Sequence, residues 1–546
     1  MPESSSENPH SSPDGIESDE IELHGGLAHT ATAVNENDAS APIEPPTHPL
    51  RIIRCIGPGL IVAGSIVGSG ELIATTKTGA EAGFSLLWLI ILGCVVKVFA
   101  QVEFGRYAII SGKPTLRALD EVPGPRVKGR GNWLVWYWLL MWLASISQLG
   151  GIVGGVGQAL AISAPLTQMG SDYNEVADAE TLQIFREYSR DGSNDGPAAA
   201  RGDVDIKWDN YQAAYGSRTA TPNDAAIWAT VMAIVTSLIL YVGRYGLIQS
   251  LSTVLVASFT VLTVINVCLL QAQPDWRVNL SEFISGLSFQ LPEKSDGVNP
   301  IGTALATFGI IGVGASELIV YPYWCLEKGY ARFTGANDGS PEWQRRAAGW
   351  MRVMRVDAWG AMIIYTFATV AFYLLGAAIL HRVDLNPEKD SMVRTLAVMF
   401  VPVFSDWASA VFLFGAFAVL YSTFFVANAG HARTFTDAMC VVGLIKNDER
   451  TAQQWVRRLS GAFPMLCLVI YLAFPAPAQL VLLSGVAQGV MLPMLAGAAL
   501  YFRYRRCVPG LTPGTLWDVM LWVSAGAMLV TGLWTVVDKI AGYLTN

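Results

Sequence analysis

The chain has 546 residues, of which 52% are hydrophobic and only 15% charged, with a mean hydropathy of +0.39. Soluble domains carry about a quarter charged residues, so this balance excludes an ordinary soluble protein and points to a polytopic membrane protein. The formal net charge of −8 is unevenly placed, and its distribution says more than its sum.

Residues 1–50 hold ten Asp and Glu, no Lys or Arg, and four of the six histidines. The segment is rich in Ser and Pro and lacks apolar periodicity, so a disordered acidic tail is expected. It has no basic stretch leading into an apolar one, so it does not read as a signal peptide. Residues 51–546 are expected to form the membrane domain.

Runs long enough to cross about 30 Å of hydrocarbon as helix fall at 57–79, 84–110, 132–162, 225–243, 247–271, 300–326, 356–380, 407–430, 459–474, 478–502 and 516–537. These eleven runs define spans 1 to 11 of an all-α membrane protein. Span 9 is the shortest, bounded by Arg457-Arg458 and by Pro475 and Pro477. The longest hydrophilic insert, about 165–224 between spans 3 and 4, carries eleven acids and five basic residues. With a cytoplasmic N-terminus, 23 Lys and Arg fall on the inner side and 12 on the outer, Lys97 lying within span 2. Positive charge collects inside, so the expected orientation is N-terminus cytoplasmic, C-terminus external, in the cell membrane.

Span 1 contains VGSGELI (Val67–Ile73) and span 6 contains VGASELI (Val313–Ile319). Five of seven positions are identical, and each copy carries one glutamate, Glu71 or Glu317. The sixth span crosses the bilayer in the opposite sense to the first, so matching motifs there mark an inverted repeat of spans 1–5 and 6–10. Glycine and serine in mid-span, with Pro322 following the second copy, predict that helices 1 and 6 are broken and build a midplane site. Small residues also serve close helix packing, but a glutamate at membrane depth is costly unless paired, protonated or hydrated. Two of them at equivalent points favour a binding role.

The phrases Gly57-Pro58-Gly59 and Thr78-Gly79-Ala80-Glu81-Ala82-Gly83-Phe84-Ser85-Leu86-Leu87-Trp88 resemble the first-helix region of the Nramp divalent-metal transporters. Weaker similarity runs through GRYGLIQSL, the Asp357-headed seventh span, VANAGHARTF in the eighth and Leu492-Pro493 in the tenth, covering roughly residues 51–540. The resemblance implies a LeuT-like fold and a divalent metal ion as transported substrate, with no cofactor. Its metal-site motifs are altered. Where the family has Asp-Pro-Gly-Asn, this chain reads Gly68-Ser69-Gly70-Glu71. Against the family's Met-Pro-His stand either Ala315-Ser316-Glu317 or Tyr321-Pro322-Tyr323. The third-helix acids tied to proton passage align to Gln148 and Gly151, and the tenth-helix glutamine to Gly485, with Gln488 a turn along.

The expected ligands are therefore Glu71 and Glu317, with Ser69, Ser316, Tyr321 and Gln488 nearby and Gly68, Gly70 and Ala315 exposing backbone carbonyls. Oxygen ligands favour hard ions such as Mg or Mn, unless Cys325 reaches in. The altered third helix argues against the family's usual proton route. Lys97 has two readings: it snorkels to the cytoplasmic interface, or it is an internal counter-ion for Glu71 or Glu317. Seven scattered cysteines without a C-x-x-C pair indicate neither zinc site nor disulfides. No P-loop, nucleophile elbow or HExxH motif is present, so no enzymatic activity is expected. Two other functions stay open: a carrier of a small organic amine held by the acids and Tyr321, Tyr323 and Trp324, or a transport-inactive receptor or scaffold. The chain is expected to act as a monomer in the lipid bilayer, without nucleic acid.

Overall fold

The computed structural model describes residues 42–127, 130–189, 197–243, 245–292 and 298–545. Most of the segment read as a disordered tail lies outside these residues. The described chain begins before position 50: Ile43 donates its N–H to Phe333 O at 2.9 Å and accepts from Trp350 Nε1 at 2.9 Å. Residues 42–48 are thus tied to the connection between spans 6 and 7.

Ten helices among the described residues are long and apolar enough to cross a membrane: Pro58–Ala82, Leu87–Ser111, Trp133–Ser163, Asp224–Val242, Pro300–Lys328, Pro341–Leu380, Ala408–Val441, Glu449–Ala473, Pro477–Arg506 and Thr515–Gly542. The fifth expected span falls on the helix Tyr245–Leu270, within which Val256–Leu270 is an apolar but shorter stretch. Two helices begin well before their apolar run. The seventh starts at Pro341 because Ser340 Oγ accepts from Trp343 N at 3.1 Å, and the ninth at Glu449 because Asp448 Oδ1 accepts from Thr451 N at 2.8 Å. Each cap satisfies an orphan amide of the first turn, so an amphipathic extension precedes the membrane-depth segment.

Spans 1 and 6 are the centre of the bundle: 88% and 78% of their most apolar stretches are buried, against 22% for span 4 and 33% for span 9. Close approach of the halves depends on glycine. A Cβ on Gly309 of span 6 would lie 2.2 Å from Gly485 O in span 10, and one on Gly485 would lie 2.4 Å from Ala306 O. Backbones pack against each other at this point, the contact that small residues allow in membranes.

The hydrophilic insert forms two helices, Gln168–Ser189 and Pro197–Tyr215, joined by Tyr173, Trp208 and Tyr211 in a ring cluster. Arg394, between spans 7 and 8, binds this insert through Asp178 and Asn174. A two-stranded antiparallel pair, Arg126–Val127 with Arg130–Asn132, sits between spans 2 and 3.

Candidate functional site

Both copies of the heptad break a helix, and both restart it at the third residue. In span 1 the helix Pro58–Ile66 stops and resumes at Ser69, first as a widened π-turn over Ser69–Thr75 and then as Thr76–Ala82. In span 6 the helix Pro300–Ile310 stops and resumes as Ala315–Lys328. Glu71 and Glu317 each fall in the first turn of the resumed helix, where the amide pole of the helix favours negative charge. Gly312 in the second break has φ of +56°, and a Cβ there would lie 2.9 Å from Cys94 Cα. Only glycine takes that backbone shape so close to span 2.

A broken helix leaves carbonyls and amides without partners, and each costs several kcal/mol in a bilayer interior. In span 1 the chain satisfies them locally: Gly68 O accepts from Leu72 N at 2.8 Å, Gly70 O from Thr75 Oγ1 at 3.0 Å, and Glu71 O from Thr76 Oγ1 at 3.5 Å. The Gly68 and Gly70 carbonyls, expected to be free, thus each already accept one bond, from Leu72 N and from Thr75 Oγ1. Ala315 likewise lies inside the resumed helix of span 6 and is fully buried.

In span 6 the partners come from other spans. Glu71 Oε1 accepts from Gly312 N at 3.3 Å and from Thr369 Oγ1 of span 7 at 3.2 Å. Lys97 Nζ donates to Phe308 O and to Ile311 O, both at 2.6 Å. Gln488 Oε1 accepts from Ser316 N at 3.0 Å, while its Nε2 donates to Gln148 Oε1 at 2.7 Å. Gln148 Nε2 in turn donates to Ser69 Oγ at 2.9 Å, closing a chain of amides from the tenth span through the third to the first. Gly70 completes the crossing, since its added Cβ would meet Ile310 O at 3.3 Å. The two breaks touch.

Glu71 is fully buried, whereas Ser316, Glu317 and Gln148 keep partial exposure. Glu317 Oε2 lies over Gly314, 2.4 Å from where a Cβ would stand, so this glycine too makes room. Three buried oxygens here have no hydrogen-bond partner: Glu71 Oε2, Glu317 Oε2 and Thr423 Oγ1 of span 8, the last beside Gly68. Buried polar oxygens are almost always satisfied, so an unpartnered set around two touching breaks has the makings of a cation site. No group of three or more His, Cys, Asp and Glu gathers among the described residues. A metal ion here would draw on two carboxylates and on hydroxyl or amide oxygens.

The structure brings together Glu71, Glu317, Gly68, Ser69, Gly70, Ala315, Ser316 and Gln488, but not Tyr321. Its hydroxyl donates to Asp357 Oδ2 at 3.2 Å, beside the Gly57 and Gly59 amides that Asp357 also accepts, at 2.9 and 2.5 Å. Tyr321 thus helps tether the start of span 1. Tyr323 donates to Asp437 Oδ2 at 2.8 Å, and Trp324 lies under the Arg433 guanidinium at 4.9 Å. These aromatic side chains are engaged by other partners, which removes the contacts on which the organic-amine reading rested. Cys325 is buried in the same helix as Tyr321 and Trp324, and the cysteine packed on the break is Cys94.

Lys97 corrects the first reading: it is fully buried, so it does not snorkel. Its hydrogen bonds go to Phe308 and Ile311 and not to either acid. Its ammonium is spent on helix-end carbonyls instead. Sequence reasoning missed Thr369, Thr423 and Ser484, and it treated Gln148 only as a lost acid. Ser484 donates to Ser145 O at 3.0 Å and accepts from Gln488 Nε2 at 3.1 Å. A polar residue inside each apolar run was the available signal. Gly151, the other altered third-span position, packs on Pro477 O, 2.5 Å from an added Cβ.

Two broken helices crossing at the bundle centre, with an acid in each resumed half, define a LeuT-like fold. The family model described as Natural resistance-associated macrophage protein-like (Nramp) matches residues 213–538, more than half of the chain. This chain belongs to the Nramp family, whose members are transporters rather than enzymes and carry metal as cargo, not as cofactor. The matched range starts after span 3 and so omits the first heptad. Among solved structures the chain is similar to a mutant of the Eremococcus coleocola manganese transporter, at 14% identity over 94% of this chain and 92% of that one, with a TM-score of 0.53. A complex of that transporter with an aromatic bis-isothiourea substituted compound gives 15% identity, the same coverages of 94% and 92%, and a TM-score of 0.51. This likeness is one of fold. No curated protein matches the chain.

Proposed function

We propose that the protein carries a hard divalent cation, such as Mg or Mn, across the cell membrane by alternating access, with Glu71 and Glu317 as ligands. The observation that supports this most directly is the pair of unpartnered carboxylate oxygens, Glu71 Oε2 and Glu317 Oε2, buried where the two breaks meet. A bare carboxylate at membrane depth needs a cation or a proton. Thr423 Oγ1 supplies a third oxygen without a partner, and oxygen ligands suit Mg, Mn or Ca better than soft metals. Rocking of spans 1 and 6 would open the site to each side in turn. The N-terminus lies in the cytoplasm and the C-terminus outside, following the basic residues. The protein works as a monomer in the bilayer.

Transport proceeds without the family's third-helix proton route, because Gln148 is an amide already bonded on both sides and Gly151 carries no side chain. The test is flux of Mg, Mn, Ca, Fe and Zn into proteoliposomes containing a proton-sensitive dye, at zero membrane potential. Saturable Mg or Mn uptake with no inward proton movement is expected. Inward proton flux in fixed ratio to metal would overturn the coupling reading, and absence of flux for every ion would favour the receptor or scaffold reading.

A further inference from the structure

Lys97 stands in the middle of span 2 with no exposed surface, and its ammonium contacts the two carbonyls at the end of the first half of span 6. The Phe308 ring lies 5.0 Å from the same nitrogen. That carbonyl end is the negative pole of the half-helix, a place where oxygen dipoles would otherwise face a mobile cation. Glu71 holds Gly312 N while Lys97 holds Ile311 O, so a fixed acid and a fixed base grip consecutive residues of one break. Neither acid of the site pairs with the lysine directly.

We infer that Lys97 is a tethered cation that limits how much positive charge the site accepts, and is therefore a specificity-determining residue. The inference rests on the cation reading above and deepens it. Two carboxylates and one ammonium leave the ionised site with a single net negative charge. A divalent ion is still attracted to that charge, but less strongly than to two carboxylates alone, because the ammonium opposes each added positive charge. The repulsion between Lys97 and the cargo scales with cargo charge. Its free-energy cost for a divalent ion is twice that for a monovalent ion at the same point, so its effect on affinity is squared. At an effective dielectric constant of about 20, a unit charge ~10 Å away would repel a monovalent ion enough to cost on the order of tenfold in affinity and a divalent one a hundredfold, which removal of the ammonium restores.

A lysine that only props the break would respond to loss of its hydrogen bonds and not to cargo charge. The experiment uses the full-length protein in detergent and measures Ca²⁺ and Na⁺ affinity, two ions of nearly equal size, in the wild type, Lys97→Gln, Lys97→Met and Lys97→Arg. Both neutral variants are expected to raise the Ca²⁺-to-Na⁺ affinity ratio about tenfold, and Lys97→Arg to keep the wild-type ratio. An unchanged ratio in folded Lys97→Gln and Lys97→Met would overturn the inference. Should both fail to fold, the wild type alone decides. A Ca²⁺-to-Na⁺ ratio below about a hundredfold supports the tethered charge, and a higher one contradicts it. Binding of neither ion by the wild type would overturn the cation reading itself, which separates the two failures.

Discussion

The two breaks share a motif but solve the same problem in different ways. Span 1 closes its gap with its own residues: a π-turn and the hydroxyls of Thr75 and Thr76 take the carbonyls. Span 6 leaves a longer gap, and the side chains of Glu71, Lys97 and Gln488 reach in from spans 1, 2 and 10 to fill it. One acid follows the same division. Glu71 is sealed and carries a structural bond to the other half, whereas Glu317 is partly exposed and lies over Gly314. An inverted repeat in sequence has become an asymmetric site, in which the first half supplies order and the second supplies access.

Substitutions that refill the gaps should have the largest effect. Gly312→Ala places a side chain at φ of +56° and against Cys94 Cα, so a loss of about 2–4 kcal/mol of stability is expected. Gly68→Ala would set its Cβ 2.0 Å from Thr423 Oγ1 and 2.8 Å from Thr423 Cβ, a side chain rather than backbone, and should cost about 1–3 kcal/mol, with relief in the Gly68→Ala/Thr423→Gly double variant. Thermal melts compare the two. If Gly312→Ala proves the milder change, the view of span 6 as the more constrained gap is wrong.

The acids give the next contrast. Glu71→Ala strips the buried Gly312 N–H of its acceptor, which costs about 1–3 kcal/mol. Glu317→Ala removes no such bond and should leave the melting temperature within a degree or two of wild type, while both abolish cation uptake. Equal destabilisation by the two would erase the division of labour between them.

Gln148→Glu is expected to restore a titratable group between Ser69 and Gln488, neighbours that already bond the amide. Inward proton movement with metal should then appear where the wild type shows none; silence of the dye in an active variant would show that this position alone does not set coupling. The smallest effect belongs to Tyr321→Phe. It loses one bond to Asp357, worth about 1 kcal/mol, and should leave flux unchanged because the hydroxyl serves the start of span 1.

Much of this was legible beforehand. The eleven apolar runs, the paired heptads and the position of both glutamates follow from periodicity and from the cost of acids in lipid, and the Nramp membership and broken helices agree with them. What stayed hidden depends on facing between helices. Thr369 and Thr423 look like ordinary small polar residues in apolar runs until spans 7 and 8 turn them toward Glu71 and Gly68. Lys97 was visible as an anomaly, but its carbonyl partners lie more than two hundred residues away, and nothing local reveals them. Tyr321 misled because helix 6 resumes at Ala315, which carries position 321 more than a turn beyond the break and onto Asp357.

The central claim is that the unpartnered oxygens of Glu71 and Glu317 hold the transported cation. Calorimetric titration of Mn²⁺ into the wild type, Glu71→Gln and Glu317→Gln tests it directly, since each amide keeps the shape and removes only the charge. The account predicts one saturable site in the wild type and its loss, by at least about a hundredfold in affinity, in both variants while their melting curves stay cooperative. Wild-type Mn²⁺ affinity in either folded variant would contradict it.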